Sequence, residues 1–445
     1  MTVTSKTKLS LFALTWPILL ELLLQILIGN IDQFMISQHS QTAVGAIGNV
    51  NQIMTLLFIT FTVISMATTI LVSQYLGAQN FHKVAEVYTV SIFVNLLFSL
   101  VLCSFILIFS QQVFWLINMP AELYAEATVY ISVVGGFLFL QALHLTLSAI
   151  FRSNGLMKET MIVALVINII NVIGNFISLN VFHMGILGVA ISSVISRIIG
   201  VTVMIILFKL RITPKPALKY LKPFPKDVLK KLLKVGIPSG GEALAYCSSQ
   251  MIILTVINTM GAYVVTTKVY VSMVVTFSFI YSSAISAAAQ IMVGHYIGAG
   301  KEDEAKKLVL SILPRTCLIS VGISVVLYLL STPIMSLFTS DPQIIALAKS
   351  VMLVDILLEL GRTSNLICLR ALQASGDIKF PVTLAMFTMF SIAAFCSFLF
   401  GLVFGWGLVG VWLAMAIDEC IRGATLLFRW HKDYWRGRSM VHDIA

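Results

Sequence analysis

The chain has 445 residues, of which 58% are hydrophobic and 11% charged, and its mean hydropathy is +0.97. An ordinary soluble domain has about 25% charged residues, so this composition excludes a soluble enzyme and a separate soluble catalytic domain. The sequence has no GxxxxGKS or GxxxxGKT phosphate-binding pattern, so we do not expect ATP as the energy source.

Twelve apolar segments, each long enough to cross a hydrocarbon core of about 30 Å, follow one another along the chain. We call them spans 1 to 12, and they lie near residues 9–37, 45–73, 84–111, 124–150, 160–181, 185–208, 231–259, 265–293, 306–331, 343–371, 380–403 and 407–428. Because the amino-terminal residues run directly into span 1 without a small-residue cleavage site, we expect this span to be retained. The prediction is therefore an all-α integral membrane protein.

The net charge of +10 comes from basic residues at the ends of the spans, a position typical of topology signals rather than of nucleic-acid binding. Connections at 37–44, 112–123 and 260–264 contain no Lys or Arg, whereas those on the opposite side do. The positive-inside rule then predicts a multi-pass protein of the cell (inner) membrane with both termini cytoplasmic. The six cysteines lie inside apolar segments without a CxxC spacing, so we expect neither disulfides nor a metal site.

Span 1 contains Glu21, Gln25 and Asp32, which share one helical face because they are spaced four and seven residues apart. Charged side chains inside a membrane are costly and usually functional. With the amino terminus inside, Asp32 lies about 7 to 8 Å of helical rise from the outer end, where an external proton can reach it. We therefore predict that Asp32 couples transport to protons.

Span 5 contains Asn168, Asn171 and Asn175 at i, i+3 and i+7, again on one helical face. If this face meets Asp32, the amides can donate hydrogen bonds to its ionised form and accept one from its protonated form. The alternative is that these amides only tie span 5 to its neighbours as interhelical hydrogen bonds.

Methionine and aromatic residues recur at helical spacing in spans 2 and 8, where thioether and ring surfaces suit substrates of many shapes. Together with Gln25 and Asn168, these residues are the substrate-cavity candidates: Met54, Phe58, Met66, Met273, Phe277 and Tyr281. The alternative for each of them is an ordinary core or lipid-facing role.

Span 10 contains Asp355, Glu359 and Arg362 at i, i+4 and i+7. The two carboxylates are an alternative cation site, although a buried Arg beside two acids more often forms a structural ion network.

An internal repeat relates the two halves of the chain at one fixed offset, which aligns Pro17 with Pro238 and Glu21 with Glu242. We interpret the two glutamates as gate or packing groups. Since each half has six spans, an even number, the repeat is parallel and predicts two pseudo-symmetric six-helix lobes with a cavity between them. The predicted organisation is a lobe at 1–210, a basic linker at 211–230, a second lobe at 231–430 and a tail at 431–445.

The paired QYLGAQN and HYIGAGK loops, the matched glycine–lysine loops after spans 4 and 10, and Pro17, Glu21, Gln25 and Asp32 resemble the multidrug and toxic compound extrusion (MATE) family. The resemblance extends over nearly the whole chain and is to the DinF-like branch. In that branch the span 1 Asp takes up the proton beside an Asn and an Asp on span 5. These positions are Asp32, Asn171 and Asn175 here, so the second acid is replaced by an amide. The resemblance also implies that span 1 bends at Pro17.

The resulting hypothesis is a secondary active transporter, not an enzyme, that exports amphipathic or cationic organic compounds by proton antiport and contributes to antibiotic resistance. We expect a monomer in the lipid bilayer that needs no cofactor beyond its coupling ion. Two alternatives remain open: a sodium-coupled multidrug antiporter, and a flippase for a lipid-linked precursor. Sodium is disfavoured because Cys247, Ser248 and Ser249 occupy the span 7 region where the sodium-coupled NorM-like branch has a glutamate. The flippase is disfavoured because the amino-terminal lobe offers chiefly Arg197 to bind pyrophosphate.

Overall fold

The computed structural model describes residues 10–37, 40–117 and 119–441, and the side chains within these ranges except those of residues 26–34 and 41. Across this part of the chain, each predicted span corresponds to one helical segment, α1 to α12. The segments are α1 (Leu11–Ser37), α2 (Gln41–Gly77), α3 (Phe81–Leu116), α4 (Tyr124–Gly136 and Leu138–Ser153), α5 (Met157–Asn180), α6 (Gly185–Arg211), α7 (Lys226–Asn258), α8 (Ala262–Gly298), α9 (Glu302–Leu329), α10 (Pro342–Ser375), α11 (Lys379–Val403) and α12 (Gly407–His431). Short helical turns at Ala121–Leu123, Leu218–Leu221 and Ser331–Ser336 lie in the connections.

Eight of these helices, α2, α3, α5 to α9 and α11, are each long and apolar enough to span a membrane. Segment α4 qualifies only as a pair of helices, which meet at a bend of 44°. Segment α11 has π-helical turns at Met389–Ala394 and Leu399–Val403, and such turns bend a helix without a proline. Helices α10 and α12 contain the charged side chains described below, and α1 is described in part. The result is the twelve-helix, all-α membrane architecture that the hydropathy predicts.

The described chain divides into two compact units, of which the first ends at Gly236 and the second begins at Ile237. In the first unit, buried apolar residues of α2, α3 and α4 form the main core. Buried polar side chains also link these helices. The Asn95 amide on α3 donates to the Thr146 hydroxyl on α4 at 2.7 Å, and both residues are fully buried. Such interhelical hydrogen bonds replace the hydrophobic driving force that is absent between helices in lipid.

In the second unit, α10 packs against α8, α9 and α12. Small residues permit the close approach of α10 to α12. A Cβ atom added at Gly361 would lie 2.5 Å from the backbone nitrogen of Cys420, and one added at Gly423 would lie 2.9 Å from the Gly361 carbonyl oxygen. Glycine at these two positions therefore sets the distance between the helices that carry most of the buried charge of this unit.

Candidate functional site

The predicted proton-coupling residue, Asp32, lies within α1, but its side chain is outside the described residues. Two other predicted residues of this helix are described. Pro17 is buried within α1, and Gln25 is exposed. Helix α1 packs against α5, the helix that carries the three asparagines.

The asparagines of α5 lie on its protein-facing side. Asn171 and Asn175 are 4% and 0% exposed, and Asn168 is half-buried. Exposed apolar side chains occupy the opposite face at helical spacing: Ile162, Leu165, Ile169, Ile173 and Phe176. The Asn171 amide nitrogen donates to the Ser193 hydroxyl of α6 at 3.2 Å, whereas its carbonyl oxygen is buried without a hydrogen bond from any described residue. The Asn171 carbonyl oxygen can therefore accept a hydrogen bond from a further group.

Glu21, predicted as a gate or packing group, forms a buried ion pair. Its carboxylate is 1% exposed and accepts a hydrogen bond from the Arg152 guanidinium on α4 at 2.5 Å. The Thr160 hydroxyl on α5 donates to the other carboxylate oxygen at 3.2 Å. One carboxylate thus ties together α1, α4 and α5.

The second unit has a matching contact at the repeat-related positions. The Gln373 amide on α10 donates to the Glu242 carboxylate on α7 at 3.1 Å. The offset that carries Glu21 onto Glu242 also carries Arg152 onto Gln373, so the two pairs are repeat mates. The repeat thus preserves the position of this glutamate and of its partner but replaces a cation by an amide. From the sequence, the offset shows that Arg152 and Gln373 occupy equivalent positions, but their pairing with the two glutamates is visible only in the structure.

The α10 cluster contains two carboxylates, of which one has an ion-pair partner among the described residues. Glu359 is fully buried, pairs with Arg362, and accepts hydrogen bonds from the Ser278 and Ser320 hydroxyls at 3.2 Å each. Asp355, one turn earlier, is 2% exposed and accepts a hydrogen bond from the Trp412 indole at 3.1 Å. The two acids therefore have different surroundings, and Glu359 already has a full set of partners.

Helix α12 adds a buried ion cluster that the sequence analysis did not single out. The Arg422 guanidinium donates to the carboxylates of Asp418 and Glu419 at 2.7 Å each, and the Asn365 amide on α10 donates to Glu419 at 2.8 Å. The i, i+3 and i+4 spacing of an acid pair and an arginine within an apolar span is a signal that could have revealed it.

The substrate-cavity candidates have varied surroundings. Met54 is 2% exposed in the core of the first unit, and Phe58 packs against that core with the Arg197 guanidinium 5.7 Å from its ring centre. Met273 and Phe277 on α8 are 53% and 60% exposed. Met66 and Tyr281 are half-buried.

Comparison with known proteins places this architecture among transporters. A model of the MatE family matches the chain twice, over residues 17–177 and 238–399, and the two matches begin at Pro17 and Pro238, which the repeat aligns. The uncharacterized transporter YisQ of Bacillus subtilis is 39% identical, over 97% of this chain and 96% of its own. The probable multidrug resistance protein NorM of Thermotoga maritima is 23% identical, over 97% and 94%.

Solved structures share the fold over almost the whole chain. A crystal structure of a MATE protein in the bent conformation has a TM-score of 0.89 at 16% identity, covering 95% of this chain and 94% of that one. The Vibrio cholerae MATE transporter VcmN in the bent form has a TM-score of 0.87 at 19% identity, covering 96% and 97%.

Proposed function

The chain belongs to the MatE family, a family of membrane transporters and not of enzymes, and we propose that it exports amphipathic or cationic organic compounds in exchange for protons. Similarity to probable multidrug resistance proteins supports the substrate class. The proposal includes a multi-pass location in the cell membrane with both termini cytoplasmic, which the distribution of Lys and Arg between the connections supports. It also includes function as a monomer.

The observation that carries the proposal is the polar face of α5. Asn171 and Asn175 are buried opposite an apolar stripe, and α5 packs against α1, the helix that contains Asp32. An amide both donates and accepts hydrogen bonds, so it can serve a carboxylate in either protonation state. We propose that these amides serve the Asp32 carboxylate in both its ionised and its protonated form.

In the proposed mechanism, the ionised Asp32 carboxylate attracts a cationic substrate and accepts hydrogen bonds from the α5 amides. A proton arriving from outside neutralises it. Neutralisation removes the attraction for the cation and weakens the hold of α5 on α1, and Pro17 gives α1 a point at which to bend because proline removes one backbone hydrogen bond. Substrate release and proton uptake are thereby linked at one side chain.

The surroundings of the α10 acids support proton rather than sodium coupling. A sodium ion at Asp355 and Glu359 would compete with Arg362, which is already paired with Glu359. A sodium ion that displaced Arg362 from Glu359 would leave the guanidinium without its ion-pair partner, at a cost of several kcal/mol.

The test is efflux of a cationic dye from cells that express the protein. We expect Asp32→Asn to abolish efflux at unchanged expression, because the substitution keeps the shape of the side chain and removes the titrating charge. Asp355→Asn is the matched control in the other unit, and we expect it to retain proton-driven efflux of the dye. Undiminished efflux by Asp32→Asn would contradict the proposal.

A further inference from the structure

The second unit contains a cavity of about 200 Å³ within its own helices. Side chains of α7, α8, α10 and α12 line it. Its polar lining includes Tyr246, Gln250, Lys268, Asp355 and Arg362. Binding sites for drug-sized ligands are usually about 300 to 1,000 Å³, so this cavity suits a smaller molecule with charged groups.

One wall of the cavity presents a lysine from the first two turns of α8. Lys268 lies six residues after the start of α8, about 9 Å along the helix axis, and is half-buried. Among the described residues, no carboxylate forms an ion pair with its ammonium group. A lysine within an apolar membrane-spanning helix usually faces the protein interior or a water-filled cavity and marks a functional site.

A carboxylate that forms no ion pair within the described part of the chain lines the same cavity. Asp355 is 2% exposed, and its described hydrogen bond comes from the uncharged indole of Trp412. Arg362 also lines the cavity, but its guanidinium is paired with Glu359 and lies 5.5 Å from the centre of the Phe279 ring. Among the charged side chains that line the cavity, the two that form no ion pair within the described residues are therefore Lys268 and Asp355.

These two charges discriminate between ligand classes. A small inorganic cation would gain the Asp355 carboxylate but would share the cavity with Lys268 and Arg362. A simple anion would gain Lys268 and face Asp355. A ligand that carries both charges can place each of them next to the opposite charge of the cavity. It also avoids the like-charge contacts that a simple cation or a simple anion would make.

We propose that this cavity binds a small zwitterion, a molecule with a carboxylate directed to Lys268 and a protonated amine directed to Asp355. The site lies in the second unit and does not involve Asp32, so it is separate from the proposed proton-coupling site. It adds a ligand class, zwitterionic amines, to the amphipathic and cationic compounds of the proposed function.

The test is direct binding to the purified full-length protein without any ion gradient. The probes are the ω-amino acids from 4-aminobutyrate to 6-aminohexanoate, with hexanoate and hexylamine as probes that carry one charge each. We expect at least one ω-amino acid to bind tenfold or more tightly than either single-charge probe, measured by equilibrium dialysis. Equal binding of all probes, or no binding of any ω-amino acid, would overturn the proposal.

Two substitutions test which side chain binds which charged group of the ligand. We expect Lys268→Met to weaken binding of the ω-amino acid and of hexanoate about tenfold and to leave hexylamine within twofold, with Lys268→Arg restoring the carboxylate interaction. Asp355→Asn reverses the pattern, weakening the ω-amino acid and hexylamine only. Lys349→Met, at an exposed position of α10, is the matched control and leaves all affinities unchanged. Identical losses for all three probes in both cavity variants, in protein that unfolds at the wild-type temperature, would exclude charge recognition.

Discussion

The ion pair between Glu21 and Arg152 is the contact whose removal should most destabilise the first unit. Glu21 is 1% exposed, whereas the Arg152 side chain is 28% exposed. In Arg152→Gln, the carboxylate stays buried and its remaining described partner is the Thr160 hydroxyl at 3.2 Å. In Glu21→Gln, the arginine can turn toward solvent, so this change should cost less.

The magnitude follows from the difference in burial. Breaking a fully buried ion pair by removing one partner costs about 3 to 5 kcal/mol. Because Arg152 is partly exposed, the pair is already partly solvated and we expect a loss of about 2 to 3 kcal/mol for Arg152→Gln. In the double variant the two amides can hydrogen-bond to each other, at the positions where the Gln373 amide donates to Glu242 in the other unit. The double variant is therefore expected to be more stable than Arg152→Gln alone.

The assay is unfolding of the purified protein by SDS titration in mixed micelles, with the four members of the cycle compared at one pH. Arg315→Gln, at an exposed position of α9, is the control and should lie within about 0.5 kcal/mol of wild type. A cycle in which the two single changes simply add, or an Arg152→Gln variant as stable as wild type, would refute the claim that Glu21 depends on Arg152.

Three further outcomes are expected. Gly361→Ala places a Cβ atom 2.5 Å from an α12 backbone nitrogen and should lower the free energy of unfolding by about 1 to 3 kcal/mol. Gly322→Ala is the control and should not lower it, because a Cβ atom at this position meets open space. SDS titration measures the stability of both variants. Partial burial opposes ionisation of Asp433, but its hydrogen bond from Lys306 at 2.7 Å outweighs this and lowers the pKa of its carboxyl group. A lowered pKa stabilises the folded state above about pH 4, and this stabilisation is lost as the pH falls through the lowered value. Amide exchange at residues 432–441 should therefore accelerate below about pH 4 in the wild type. The acceleration should be absent in Asp433→Asn. Pro17→Ala should slow transport far more than it weakens binding of a cationic substrate, because Asp32, the proposed ligand-binding charge, is unchanged. Equal losses in flux and in binding affinity would contradict a hinge role.

The fold was predictable because lipid imposes a strong rule on sequence. Every spanning segment must satisfy its backbone internally and be long enough to cross the bilayer, so hydropathy located all twelve helices. The bend in α4 and the π-helical turns of α11 were not predicted. The bend in α4 directly follows Gly135 and Gly136, and adjacent glycines are a local sequence signal for a kink. The π-helical turns contain no proline.

The candidate site was predictable where side chains share one helix. Helical spacing placed Asn171 and Asn175 on one face, and the structure buries both. Contacts between helices were harder to predict, because the pairing of Glu21 with Arg152 depends on which helices are neighbours. Lys268 was missed for another reason: a single charge in a long apolar span barely changes its mean hydropathy.

Proton coupling through Asp32 is the central claim, and flux in proteoliposomes under separately imposed gradients tests it most directly. We predict that a pH gradient at equal sodium drives transport of a cationic substrate, that a sodium gradient at equal pH does not, and that Asp32→Asn abolishes the pH-driven flux. Transport that depends strictly on sodium, persists in Asp32→Asn and is lost in Asp355→Asn would contradict the claim and place coupling in the second unit.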